Sequence, residues 1–282
     1  MTPKGSYADQ ASALIDAKTN AGLSFLEGRA AMTLAAPHAA MYAQARALLD
    51  WNARNPFCGG CGQPTLSINA GWKRACPSTD LADVAGGAST AGASPASIPE
   101  PRKRADCVTR KGVSNLSFPR TDPTVIMAVL SADSKRVLLG RGKRFPPLWY
   151  SVLAGFVEPA ESIEEAVRRE VWEESGITLG RVVVHSSQPW PFPANLMIGC
   201  IAQAVPGHEE IMLKHDPELE DAKWVSLEEV REALRIGTSG LDEGPGKDYK
   251  EGGMRLPPRT AIAHVLLDSI VNGGFLSGVT KV

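Results

Sequence analysis

Glu170, Glu173 and Glu174 stand at i, i+3 and i+4 in a run whose apolar residues recur at helical spacing. At 3.6 residues per turn this puts three carboxylates on one helix face. Like charges so placed repel, and Arg169 is the only base beside them. A hard divalent cation relieves that repulsion, because Mg²⁺ takes oxygen ligands and keeps several waters. The chemistry such a site supports is hydrolysis, with the ion lowering the pKa of a bound water and stabilising a leaving oxygen. Three glutamates alone read better as a solvated acidic face, so the surrounding residues decide.

Two further groups could do chemistry. Cys58-x₂-Cys61, with Gly59, Gly60 and Gly62 beside it, has zinc-knuckle spacing, and Cys76 follows after fourteen residues, a normal ribbon separation. Ser187-Gln188-Pro189-Trp190-Pro191-Phe192-Pro193-Ala194-Asn195 alternates proline with aromatics and predicts a stiff extended strip. Two readings of the strip stand level on physics alone. Its rings stack on a nicotinamide or adenine, or they are buried in the core as a proline-locked connection.

These residues need elements to hold them. Ser162 with Glu165 makes a capping box and Gly176 a stop, so 162–175 is a helix whose Ala166, Val167 and Val171 face the core. Strands are expected at 125–130, 137–139, 150–156, 182–185, 196–204 and 222–225, and further helices at 36–54, 226–235 and 258–271. Irregular alternation of strands and helices gives an α/β or α+β class with a mixed sheet. Residues 77–106, rich in Ala, Gly, Ser and Pro, read as a disordered insert. The chain therefore divides into an N-terminal region with a helix (1–54), a cysteine ribbon holding the insert (55–120) and a catalytic domain (121–282).

The segment Gly155-x₅-Glu161-x₇-Arg169-Glu170-Val171-x-Glu173-Glu174-x-Gly176-Ile177 resembles the full Nudix box. With a background of about one in fifteen for each fixed identity, a chance match is on the order of one in a few hundred thousand. Ser187 to Asn195 resembles the SQPWPFPxS marker of the NADH pyrophosphatase branch, with Asn195 in place of the final Ser. Phe118-Pro119-Arg120-Thr121-Asp122-Pro123-Thr124-Val125-Ile126 resembles that branch's YPRxDPxVI stretch, with Phe118 for Tyr. Asp216-Pro217-Glu218, followed by Trp224, resembles a later acidic segment of the family. The likeness spans roughly residues 30–275.

The resemblance implies a Nudix α/β/α sandwich behind a small zinc ribbon and a short N-terminal region, shorter than the domain usual before the ribbon. It implies Mg²⁺ or Mn²⁺ at Glu170, Glu173, Glu174 and Glu218 and the backbone carbonyl of Ala154. Glu174 is the best candidate for water activation, although the base varies among Nudix enzymes. Glu161 and Arg169 would pair to fix the loop. Substrate contacts would come from Phe118, Phe156, Gln188, Pro189, Trp190, Pro191, Phe192, Pro193, Asn195 and Ala263. The family's fourth thiol sits three residues after the third, where this chain has Thr79, so Cys107 is expected to complete Cys58, Cys61 and Cys76 around a structural Zn²⁺. The family splits NADH, and less well NAD⁺, into AMP and a nicotinamide mononucleotide. Some members remove a 5′ NAD cap from RNA.

Thirty Lys and Arg against 31 Asp and Glu give a net charge of −1. That balance gives no support to a general nucleic-acid or membrane binder and puts the free dinucleotide ahead of capped RNA. A non-catalytic zinc-ribbon/Nudix nucleotide-binding protein is the alternative of another class, and the intact carboxylate set argues against it. The sequence shows no secretory h-region, membrane span or Ser-Lys-Leu end, so the cytoplasm is expected. A homodimer is expected from the resemblance.

Overall fold

A computed structural model describes residues 8–26, 28–80 and 102–272 of the 282. Two helices come first, α1 (Ala8–Asn20) and α2 (Ala36–Arg54). A two-stranded antiparallel ribbon follows, β1 (Leu66–Ile68) and β2 (Lys73–Ala75).

The larger sheet has six strands: β3 (Asp122–Leu130), β4 (Arg136–Gly142), β5 (Leu153–Phe156), β6 (Leu179–Trp190), β7 (Asn195–Ala204) and β8 (Leu219–Ser226). Their order is β6-β7-β3-β4-β8, with β5 paired to β3 beside β4. The sheet is mixed, because β3 runs parallel to β7 and antiparallel to both β4 and β5. One edge of β3 is shared: Thr124 to Met127 pair with β5, and Val129 and Leu130 with β4.

Side chains alternate along β3, so each face buries its own core. Val125, Met127 and Val129 pack with Ala166, Val167 and Val171 of α3 (Ile163–Ser175). Ile126, Ala128 and Leu130 pack against α4 (Leu227–Ile236) and α5 (Ile262–Val271) on the other face. The result is the α/β/α sandwich expected from the sequence. Val167 and Val171 are fully buried, and each such side chain stabilises by about 1.5–3 kcal/mol, which holds α3 rigidly to the sheet.

The strands are longer than their apolar cores suggested, except that residues 150–152 precede β5 as bridges and loop. The helix expected from Pro258 begins at Ile262, whose N–H donates to the Gln188 side chain at 2.8 Å. The ends of the segment 77–106, expected as a disordered insert, are ordered. Thr79 bridges to Lys103, Asp80 N–H donates to Arg102 O at 3.1 Å and Arg104 N–H to Ser78 O at 2.8 Å. Residues 78–80 and 102–104 are thus paired with each other. The middle of the insert, 81–101, lies outside the described residues.

Candidate active site and thiol cluster

Strand β5 delivers Ala154, Gly155 and Phe156, a loop crosses 157–162, and α3 follows. The Ser162–Glu165 capping box starts α3, and Gly176 ends it in the left-handed conformation at φ 72°. A side chain there would be strained and would also meet Met212.

Arg169 organises the loop. Its Nε donates to Glu161 Oε1 at 2.6 Å and its Nη2 to Glu161 Oε2 at 2.8 Å, a bidentate pair. The same guanidinium donates to Phe156 O at 2.8 Å and to Glu170 and Glu173, each at 2.9 Å. Its hydrogen bonds hold the Glu161 carboxyl down at about 2. The expected Glu161–Arg169 pair is therefore present, and Arg169 also ties down two of the three helix-face carboxylates.

Glu174 is different. It is 6% exposed, and no base pairs with it among the described residues. Burial, then Glu170, Glu218, Asp216 and Glu173, push its carboxyl up to about 8. Glu170 is also raised, by burial first, with Arg169 opposing. A buried carboxyl surrounded by carboxylates calls for a proton or a cation. That is the sense in which these residues fit a divalent ion. Gly155 fits too: a Cβ there would lie 1.8 Å from the Glu170 carboxylate carbon, so only glycine leaves room for that group.

Glu218 comes from the loop before β8, which is fastened to α3. Met212 N–H donates to Ser175 O and Asp216 N–H to Glu173 O, and His215 stacks on Trp172 with ring centroids 4.2 Å apart. Glu174 and Glu218 line one side of a cavity of about 710 Å³, shared with Ala154, Trp190 and Ala263. The structure thus gathers five of the sequence-derived positions around one space. Glu170 and Glu173 are not on its lining and pair with Arg169.

The proline strip keeps the expected extended form as far as Trp190 and then turns. Gln188, Pro189 and Trp190 continue β6, paired with Met197, Leu196 and Asn195, and residues 191–194 are the hairpin turn. Prolines are tolerated there because β6 is the sheet's edge strand. Gln188 clamps the start of α5 through Thr260 O and Ile262 N. Pro191 is buried; its carbonyl accepts from Arg46 of α2 at 2.7 Å, and Phe192 packs edge-on to Trp190. Gln188 to Phe192 line a second cavity, of about 380 Å³, against α2. Of the strip residues that line it, Trp190 also borders the larger cavity, as does Ala261 beside the start of α5. Asn195 is buried and donates to Thr124 Oγ1 at 2.9 Å. Phe118 lies under Lys73 of the ribbon, and Phe156 is 57% exposed; neither lines the larger cavity. Pro193 completes the turn and lines neither space.

Sequence reasoning missed Lys143, Arg144, Phe145 and Trp149, which line the larger cavity from the β4–β5 connection. Their signal was weak: a basic pair followed by an aromatic, with no diagnostic spacing.

In the ribbon, the Sγ atoms of Cys58, Cys61, Cys76 and Cys107 all lie within 4.8 Å of one another. Cys58–Cys107 and Cys61–Cys76 are 3.6 and 3.5 Å apart. Tetrahedral Zn²⁺ with Zn–S near 2.3 Å needs sulfur–sulfur edges of about 3.8 Å, so the donor set fits that ion. Burial raises the Cys58 thiol, but hydrogen bonds from Thr109 and from backbone N–H groups outweigh it and bring it to about 6. Cys107 joins the group as expected despite the intervening insert. Among the described residues no other set of potential ligands is so closely gathered.

Residues 120–241 match the NUDIX domain family, and residues 53–82 match the NADH pyrophosphatase zinc ribbon domain, a match that stops short of Cys107. Three curated relatives are similar to this chain. "NAD-capped RNA hydrolase NUDT12" of Macaca fascicularis is 41% identical over 84% of this chain and 43% of that protein. "NAD-capped RNA hydrolase NPY1" of Saccharomyces cerevisiae is 38% identical over 82% and 55%. "NAD(P)H pyrophosphatase NUDT13, mitochondrial" of Mus musculus is 36% identical over 87% and 59%. The chain spans about half the length of these relatives.

Proposed function

Because this chain joins a Nudix domain to a zinc ribbon of the NADH pyrophosphatase type, we propose that it hydrolyses the pyrophosphate of NADH or NAD⁺ to AMP and nicotinamide mononucleotide. The observation that carries the reading is Glu174, buried among Glu170, Glu173 and Glu218 and facing a cavity walled by Trp190.

Glu170, Glu173, Glu174, Glu218 and the Ala154 carbonyl would hold Mg²⁺ or Mn²⁺. The bound ion would neutralise the diphosphate and acidify water. Glu174 accepts a proton from the attacking water at its carboxylate. The new P–O bond forms as the bridging P–O bond breaks, and the released nucleotide leaves as a phosphate monoester. Arg169 keeps Glu170 and Glu173 on the correct face through its hydrogen bonds to both. Phe118, Phe156 and the strip from Gln188 to Asn195 are proposed substrate contacts, with Trp190 and Ala263 supported by their place on the cavity wall. The four thiols would hold Zn²⁺ in a closed structural site, because no ligand position stays open.

Removal of a 5′ NAD cap from RNA is a second reading, favoured by the names of two of the relatives. It breaks the same bond. A homodimer and a cytoplasmic location are further proposals. Among the described residues no helix is long and apolar enough to cross a membrane.

The test is product analysis with Mg²⁺ or Mn²⁺ on NADH, NAD⁺, ADP-ribose, FAD and a 5′-NAD transcript. AMP plus the reduced mononucleotide from NADH, abolished by Glu174→Gln in a protein that still folds, is the expected result. Turnover of the transcript alone would select the second reading. Folded, metal-loaded protein that turns over nothing would move the chain to a nucleotide-binding role.

A further inference from the structure

The larger cavity carries both signs of charge. Glu174 and Glu218 stand on its wall, and Lys143 and Arg144 come from the turn after β4. The two bases differ in what they already do. Lys143 Nζ donates to Pro217 O, one residue before Glu218, and so belongs to the fastening of that loop. Arg144 is exposed and makes no hydrogen bond or ion pair among the described residues.

The turn that presents Arg144 is well anchored. Phe145 N–H donates to Gly142 O at 2.9 Å, and the Phe145 ring packs edge-on to Trp149 with centroids 4.8 Å apart. Trp149 is buried, and its indole N–H donates to Ser239 O at 3.2 Å. Arg255 N–H donates to Leu148 O at 2.7 Å, closing the turn from behind. An unused guanidinium thus sits on a fixed backbone at the edge of a cavity whose chemical end is acidic.

We propose that Arg144 is the phosphate clamp of this site, gripping the diphosphate within the cavity that it shares with Glu174 and Glu218, with Phe145 and Trp149 giving the attached base an aromatic wall. This rests on the hydrolase reading above. The physical need is plain. A diphosphate carries negative charge throughout, and charge rises on the leaving phosphate as the bridging bond breaks. Cations held at Glu174 and Glu218 would not by themselves neutralise all of it. Arginine offers five donors in a planar fork that fits two phosphate oxygens, and it stays charged at every working pH. A clamp that acts on both ground and transition states lowers KM more than it raises kcat.

The experiment compares wild type, Arg144→Ala and Arg144→Lys for NADH hydrolysis, inhibition by AMP, and the Mg²⁺ activation constant. Losing a charge-assisted contact should raise KM and the AMP inhibition constant about 10- to 100-fold in Arg144→Ala. Arg144→Lys should recover part of that loss, and the Mg²⁺ constant should stay as in wild type. A KM and AMP constant within about twofold of wild type in Arg144→Ala would overturn the proposal, as would a change confined to the Mg²⁺ constant. If wild type turns over no dinucleotide, the hydrolase reading fails on its own. Calorimetric binding of ADP-ribose with Mg²⁺ then decides the clamp: weaker binding in Arg144→Ala supports it, and equal binding removes it.

Discussion

Replacing Gly155 with alanine places a Cβ 1.8 Å from the Glu170 carboxylate carbon and 2.0 and 2.2 Å from its oxygens. Ordinary contact begins at 3.4 Å, so the carboxylate must retreat by 3.4 − 1.8 = 1.6 Å. The backbone cannot supply that movement. Gly155 is paired with Val125 in the sheet, and α3 is pinned by Val167 and Val171. Gly155 is not among the positive-φ glycines, so alanine suits the local backbone and the strand should persist. The Glu170 side chain therefore swings away, and a proposed metal ligand is lost without unfolding the domain. A displacement of about 1 Å at a reacting centre can cost about 100-fold in rate, so kcat for NADH should fall by at least about that factor. Overpacking should cost about 1–3 kcal/mol, or roughly 2–12 °C in Tm at 2–4 °C per kcal/mol. The assay is Mg²⁺-titrated turnover with a parallel melting curve. Glu170→Gln alone and with Gly155→Ala complete a cycle in which the second change should add little to the first. A Gly155→Ala enzyme within threefold of wild-type kcat, or additive losses in the cycle, would refute the reasoning.

Three other outcomes are expected. Cys107→Ala should abolish stoichiometric zinc by metal analysis and lower the ribbon's melting temperature, because three thiols leave the tetrahedron open; full zinc content would exclude Cys107 as a ligand. Arg169→Lys should lower Tm by about 2–10 °C, because an ammonium cannot reproduce the fork to Glu161 while reaching Glu170, Glu173 and Phe156 O; an unchanged melting curve would count against that network. In protein stripped of divalent ions, the Glu174 carboxyl titrates at about 8 against an ordinary 4.5. The folded state then keeps a proton that the unfolded chain sheds. The stability from this group is full below 4.5 and is lost as pH rises toward 8. Tm should fall across that window and flatten when Mg²⁺ is added with proton release; a flat curve in the stripped protein would be the contrary result.

The helix α3 was legible almost to the residue, because its signals are local. Ser162 and Glu165 cap it, Gly176 ends it, and Ala166, Val167 and Val171 mark its buried side. The α/β/α sandwich was legible from the strand and helix pattern and the box resemblance, while the parallel pairing of β3 with β7 is long-range and leaves no mark in either segment. The proline strip misled for the same reason. Alternating prolines fix φ at single residues, but whether the chain runs on or doubles back depends on the partner strand, and β7 folds it into a hairpin. Cys107 could be found by counting thiols. Lys143 and Arg144 could not be found at all, because their meaning comes from sharing with Glu174 and Glu218 a cavity that only the tertiary fold creates.

The pairing of 78–80 with 102–104 has a practical consequence. The chain leaves the ribbon and returns to it through one narrow gate, where Thr79 faces Lys103 and Arg104 pairs with Asp80 at 2.9 Å. Doubling the length of chain that joins two such paired stems costs only about 0.6 kcal/mol in closure entropy, so it is the stems that decide where the chain re-enters the ribbon. The stem thereby sets the register of Cys107, the one thiol of the cluster that lies after it, so loosening the Arg104–Asp80 contact would be felt at the sulfur cluster.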